Sequence, residues 1–195
     1  VKGERLILEY YEPINVLENP ELNIKTVVHD YKDILGFHET SNYCGINVAC
    51  DEADPYEDQV NSTIFLDMGG YICSAALINN TNNDKTPYVL TAYHCAEGSA
   101  SLGQHNWFTF YFKHQGYTCS SSGGNYNYSE NGSYLRAQRG MSYSDFALLE
   151  MDDTPPSSFD AFYAGWRRYT SAPTISVGIH HPGGYPKEIN FDDDV

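Results

Sequence analysis

Tyr88-Val89-Leu90-Thr91-Ala92-Tyr93-His94-Cys95 runs from an apolar, β-branched segment straight into a histidine with a cysteine beside it. The first four residues have strand composition, and the histidine falls where that strand ends. A general base needs such a placement: a rigid element beneath it, a group that titrates near neutrality, and a ring held in one orientation. The neighbouring cysteine offers a way to hold the segment from behind.

Working outward, Asn79-Asn-Thr-Asn-Asn-Asp84 is dense turn chemistry, so Tyr71–Thr91 reads as a hairpin. Further short strands are expected at Val60–Leu66, Trp107–Phe112, Phe146–Met151, Thr174–Ile179 and Glu188–Phe191. The Gly/Ser/Asn/Tyr stretch Ser120–Ser133 reads as a long surface loop, and the acidic run Asp51–Asp58 as a solvated one. Closely spaced strands without helical periodicity point to an all-β antiparallel barrel or sandwich. Before them, Arg5–Tyr10 and Leu22–Val28 alternate apolar and polar residues around a Pro/Asn-rich connection, a short β segment too small to fold alone. Residues 1–41 are therefore expected to be the tail of an upstream domain or pro-segment plus a linker, and residues 42–195 a second region. The chain opens on Val1 without a signal-like segment and reads as a cut end.

Bulk composition narrows the function. With 11 basic and 26 acidic residues the net charge is −15, which argues against nucleic acid because phosphate contacts need Lys and Arg clusters. The charge fits solubility outside the cell or attraction of basic substrates. No apolar run reaches the ~20 residues of a membrane span. Five cysteines in a β-rich chain suggest an oxidising compartment. None forms a Cys-x-x-Cys pair, so structural zinc is not expected.

A second segment supplies a partner for His94. In Tyr143-Ser144-Asp145-Phe146-Ala-Leu-Leu149 an aspartate directly precedes a strongly apolar strand. A carboxylate at such a strand mouth can accept the Nδ1–H of a neighbouring strand-end histidine, fixing its tautomer and stabilising the imidazolium. The two motifs, in this order and with these flanks, resemble the histidine and aspartate motifs of trypsin-like serine proteases of the chymotrypsin fold. The match is closer still to the bacterial lysyl endopeptidase branch. Cys44-Gly-Ile-Asn-Val-Ala-Cys50, Cys73-Ser-Ala-Ala-Leu-Ile-Asn-Asn-Thr81, Phe162-Tyr-Ala-Gly-Trp-Arg-Arg168 and Ile179-His-His-Pro-Gly183 are similar to that branch as well.

The resemblance implies a secreted bacterial serine endopeptidase with a double β-barrel, His94 as general base and Asp145 as its orienting carboxylate. It covers the first barrel completely and the second only in part. It further implies the disulfides Cys73–Cys95 and Cys50–Cys119, and a third from Cys44 to a cysteine outside this chain. A Cys73–Cys95 bridge closes a loop of about 20 residues, worth roughly 3 kcal/mol, and limits drift of His94. The family's nucleophile follows His and Asp in a Gly-x-Ser-Gly-type turn, and nothing after Asp145 fits. Ser157 and Ser158 follow a Pro-Pro pair, Ser171 and Ser176 lack glycines, and Ser122-Gly-Gly precedes the aspartate. The serine is therefore expected beyond this chain, and the fragment alone is expected to be inactive.

Other residues carry weaker signals. His180 and His181 point to opposite strand faces and cannot easily chelate one metal, so a structural role is expected. His105 and His114 read as bystanders on an exposed aromatic strand, Trp166 as a packing residue. Asp192–Asp194 lacks calcium-loop spacing. No metal or cofactor is expected. The expected partner is a protein or peptide substrate, and the protein reads as a monomer. The rival reading is a non-catalytic extracellular binding or adhesion module, a pseudoprotease that keeps the barrel.

Overall fold

The computed structural model describes residues 45–96, 103–121, 123–168 and 170–193, all within the compact unit Phe37–Val195. Residues 1–41, with their expected β segment, and Cys44 lie outside the described residues. The fold is all-β, an eight-stranded sheet and a separate three-stranded sheet, consistent with a double-barrel fold whose second barrel is only partial. In chain order the strands are β1 (Ile46–Asn47), β2 (Thr63–Asp67), β3 (Ile72–Ile78), β4 (Tyr88–Thr91), β5 (Gly103–Gln104) and β6 (Thr109–Tyr111). They continue with β7 (Ser129–Asn131), β8 (Ser133–Arg139), β9 (Phe146–Met151), β10 (Ser176–His180) and β11 (Glu188–Asp192).

The large sheet runs β5-β8-β9-β4-β3-β2-β6-β7, with every pair antiparallel. Its two edges meet because β5 and β6 are nearly continuous in the chain, as are β7 and β8. One sharply bent hairpin thus contributes to both ends of the sheet. At the bend His105 and Ser133 exchange backbone hydrogen bonds of 2.7 and 3.3 Å, and Gly132 N donates to Phe108 O. Gly132 has φ +83°, and a Cβ there would lie 2.2 Å from Asp152 Oδ2. Only glycine combines that backbone with that approach.

Strand patterning explains the core. Ala147, Leu149 and Met151 alternate inward along β9, and Val89 does the same on β4. With Ile64, Leu66, Leu77, Phe108, Phe110, Phe112 and Leu135 they form one continuous cluster. β2 is buried on both faces. Ile64 and Leu66 point into this cluster, while Phe65 turns outward against the rings of His114 and His181. On β8 a register shift between Leu135 and Ala137 turns Arg136 outward, where its Nε donates to Glu150 at 2.7 Å.

The small sheet, β1-β11-β10, is a hairpin with β1 added at its edge. Ile189 anchors it against Val48, Ala53 and Val60. Two segments expected as loop or strand differ. The acidic run Asp51–Tyr56 forms a 3-10 turn that leads into α1 (Glu57–Ser62), so Val60 sits on a helix and β2 begins at Thr63. Burial of Ala53 and Val60 against Ile189 overrides local composition there. Part of the Ser120–Ser133 stretch is β7, because Tyr111 on β6 pairs with Ser129.

Candidate active site

β4 and β9 lie side by side, and Thr91 pairs with Ala147. The end of β4 and the start of β9 therefore share one rim of the barrel. Immediately past that rim β4 passes into a single helical turn, α2 (Tyr93–Ala96), which carries His94. On the β9 side the chain arrives through a turn in which Tyr143 N and Asp145 N both donate to Gly140 O, at 3.0 and 3.3 Å. Asp145 itself has φ +42°, a left-handed conformation that aspartate tolerates better than most residues. The turn throws its carboxylate back across the rim.

The two motifs meet there. His94 Nδ1 lies 2.8 Å from Asp145 Oδ2, and the His94 backbone N–H donates to Oδ1 at 3.1 Å. Both carboxylate oxygens are engaged by the same residue, which fixes ring and backbone together. The hydrogen bond from the His94 ring holds the Asp145 carboxyl below the usual carboxylate range, with the His94 and Tyr93 amides acting in the same direction. An ionised carboxylate can only accept, so in neutral His94 the proton sits on Nδ1 and Nε2 keeps a free lone pair. The imidazole is 53% exposed. Nε2 can therefore take a proton from a group arriving from solvent.

Behind the histidine, Cys73 on β3 is disulfide-bonded to Cys95, across 22 residues of sequence. This bridge ties the α2 turn to a central strand of the barrel. Cys50 and Cys119 form a second disulfide, spanning 69 residues. Among the described residues, the one cluster of potential metal ligands within reach of each other is Cys73, His94 and Cys95. Its two sulfurs are bonded to one another and offer no thiolate.

A family model for the lysyl endopeptidase C-terminal domain matches residues 38–194. The chain belongs to the lysyl endopeptidase family. It is 28% identical to the lysyl endopeptidase of Pseudomonas aeruginosa over 217 aligned residues, which cover 97% of this chain and 44% of that protein. The family chain described here thus spans less than half the length of that relative.

The other histidines stand apart. His105 and His114, expected on an exposed strand, are 3% and 2% exposed. His114 stacks on Tyr126 and His181, and its Nε2 lies 3.1 Å from Gly184 O. His181 is buried, with Nδ1 3.1 Å from Tyr185 O, whereas His180 on β10 stays partly exposed. Burial lowers the pKa of His114 to about 4 and that of His181 well below its ordinary value. Trp166, expected to pack, is 57% exposed.

Two further residues stand out only in the structure. Lys187 is fully buried, its Nζ donating to Val60 O at 2.6 Å and Phe112 O at 3.1 Å. Burial lowers its pKa to about 7. Ser74 accepts the His181 backbone N–H on its Oγ at 2.8 Å. Ser157 and Ser158 lie in a 3-10 turn and Ser176 on β10. Among the described residues no serine hydroxyl is bonded to His94, and Ser122 lies outside them.

Proposed function

We propose that the whole protein is a secreted, monomeric serine endopeptidase that cleaves peptide bonds after basic residues. In this reading His94 Nε2 takes the proton of a serine hydroxyl as it attacks the peptide carbonyl. The same nitrogen then returns that proton to the leaving amine. Asp145 holds the ring in the Nδ1–H tautomer and stabilises the imidazolium between the two steps. The serine and the backbone amides that stabilise the tetrahedral oxyanion come from sequence beyond Val195 in the whole protein, as does the partner of Cys44. Residues 42–195 are then the first part of the protease domain, residues 1–41 the tail of a preceding domain or pro-segment, and the present chain alone is inactive.

The observation that carries this reading is the doubly bonded His94–Asp145 pair at an open rim, in a chain of the lysyl endopeptidase family. The relative from Pseudomonas aeruginosa is named for lysyl cleavage, and a net charge of −15 favours approach of basic substrates. Two disulfides fit an extracellular setting. No described helix is long and apolar enough to cross a membrane, and the proposed chemistry needs no cofactor.

The test is to assay the full-length gene product on lysyl and arginyl peptide amides beside a His94→Ala variant. Hydrolysis that falls by about 10⁴-fold or more in the variant is the expected result. A variant as active as wild type, or a full-length protein that binds such peptides without cleaving them, contradicts the reading and favours a binding module.

A further inference from the structure

The chain between β10 and β11, residues 181–187, is stitched to the large barrel along its length, with the His181 ring packed on Phe65 and stacked on His114. Lys187 N donates to His114 O at 3.0 Å, Lys187 Nζ reaches Val60 O and Phe112 O, and the His114 ring meets Gly184 O. These bonds engage α1 and the residues after β6. One further hydrogen bond, His181 N to Ser74 Oγ, reaches β3.

Ser74 is not an arbitrary position on that strand. It follows Cys73, whose disulfide partner Cys95 adjoins His94. Its carbonyl accepts the Thr91 hydroxyl at 3.0 Å, and Thr91 is the last residue of β4 before the histidine turn. The register that pairs Ala76 with Leu90 brings Ser74 level with Ala92. One serine thus contacts the strand end that carries His94 and, through its hydroxyl, the second sheet.

We infer that Ser74 is a positioning residue, its hydroxyl fixing the second sheet relative to the His94 rim through the His181 amide. The inference rests on the catalytic reading above, in which the nucleophile arrives with the later part of the chain and so with the second sheet. Misplacement of reacting groups by about 1 Å can cost on the order of 10²-fold in rate. A hydrogen bond at the catalytic edge therefore matters more to turnover than to folding. The bonds at His114 and Lys187, with the His181 ring packed on Phe65 and His114, keep the segment docked when the Ser74 bond is lost, so the loss falls on backbone alignment at His181 and not on docking.

The experiment uses the full-length gene product and its Ser74→Ala, Ser74→Thr and His94→Ala variants. Peptide-amide kinetics are read beside hydrogen exchange at the His181 amide. Ser74→Ala is expected to lower kcat by about 10-fold with KM within about twofold, and to speed His181 exchange by about 10-fold. Ser74→Thr, which keeps the acceptor oxygen, is expected to match wild type in both. If the alanine variant does not fold, Ser74→Val, isosteric with the threonine variant but without its oxygen and well suited to a strand, makes the same comparison against Ser74→Thr. An inactive His94→Ala beside a fully active Ser74→Ala overturns the positioning role alone. So does a kcat loss without faster His181 exchange, or a threonine variant as slow as the alanine one. An active His94→Ala overturns the catalytic reading and this inference with it.

Discussion

Histidine is used in two opposite ways on the two sides of this fold. At the rim, His94 is half in water, faces an aspartate, and keeps one nitrogen open to solvent. Between the sheets, His114 and His181 are stacked on one another and packed against Phe65, with Lys187 nearby and, among the described residues, no carboxylate hydrogen-bonded to either ring. The first setting orients the ring and leaves it open to water, and the second resists a charged one. Residue type alone therefore says little about role. What separates the two is whether a carboxylate or a hydrophobic wall faces the imidazole.

The largest expected effect tests the rim. Asp145→Asn in the full-length protein is expected to lower kcat by about 10⁴-fold, because an amide can hold the wrong tautomer of His94. A loss below tenfold in peptide-amide kinetics would show that the carboxylate is not needed.

The next effect tests the buried side. A histidine whose pKa is lowered in the fold is charged only in the unfolded chain between the two values, so stability is complete above about pH 6.5. It is lost as pH falls toward 4. For His114 the drop from 6.5 to about 4 corresponds to about 3 kcal/mol. His181 acts in the same direction, and the neighbouring Lys187 and His180 oppose a positive ring there, as the two histidines do each other. Urea unfolding of this chain at pH 7 and pH 4.5 is expected to show the loss. His114→Gln is expected to reduce it, and an unchanged pH dependence in that variant would contradict the assignment.

Lys187 sharpens the same contrast at higher pH. With its pKa at about 7 in the fold against 10.5 ordinarily, stability is expected to rise with pH through that interval. Lys187→Met should abolish this rise. The same variant leaves Val60 O and Phe112 O without their donor, at a cost of about 1–3 kcal/mol at pH 7. A Lys187→Met protein that keeps the alkaline rise in urea unfolding would refute the assignment. The smallest effect returns to the rim: because the His94–Asp145 pair is open to water, Asp145→Asn is expected to leave Tm close to wild type. A large drop would mean that the pair is a folding element instead.

These two regions also differ in how far the sequence reveals them. β4 and β9 are legible to the residue because Val89, Leu149 and Met151 alternate cleanly, and the residues that meet at the rim lie just past the end of β4 and just before the start of β9. β8 is not, since the Leu135/Ala137 shift breaks its alternation and its inward side carries small residues such as Ser133 and Ala137. The helical turns over Asp51–Ser62 are too short for a periodic signal and depend on packing against Ile189. The burial of His105 and His114 depends on a bent hairpin and on contact with the second sheet, neither of which leaves a local trace. Lys187 is hidden for the same reason: its partners are main-chain carbonyls from distant elements.

The proton on His94 is the most direct test of the account. Nitrogen-resolved NMR of the imidazole near neutral pH is expected to show Nδ1 protonated and hydrogen-bonded, with Nε2 an open acceptor. Asp145→Asn is expected to shift that Nδ1 proton. A ring protonated on Nε2, or an Nδ1 proton indifferent to the aspartate, would contradict it.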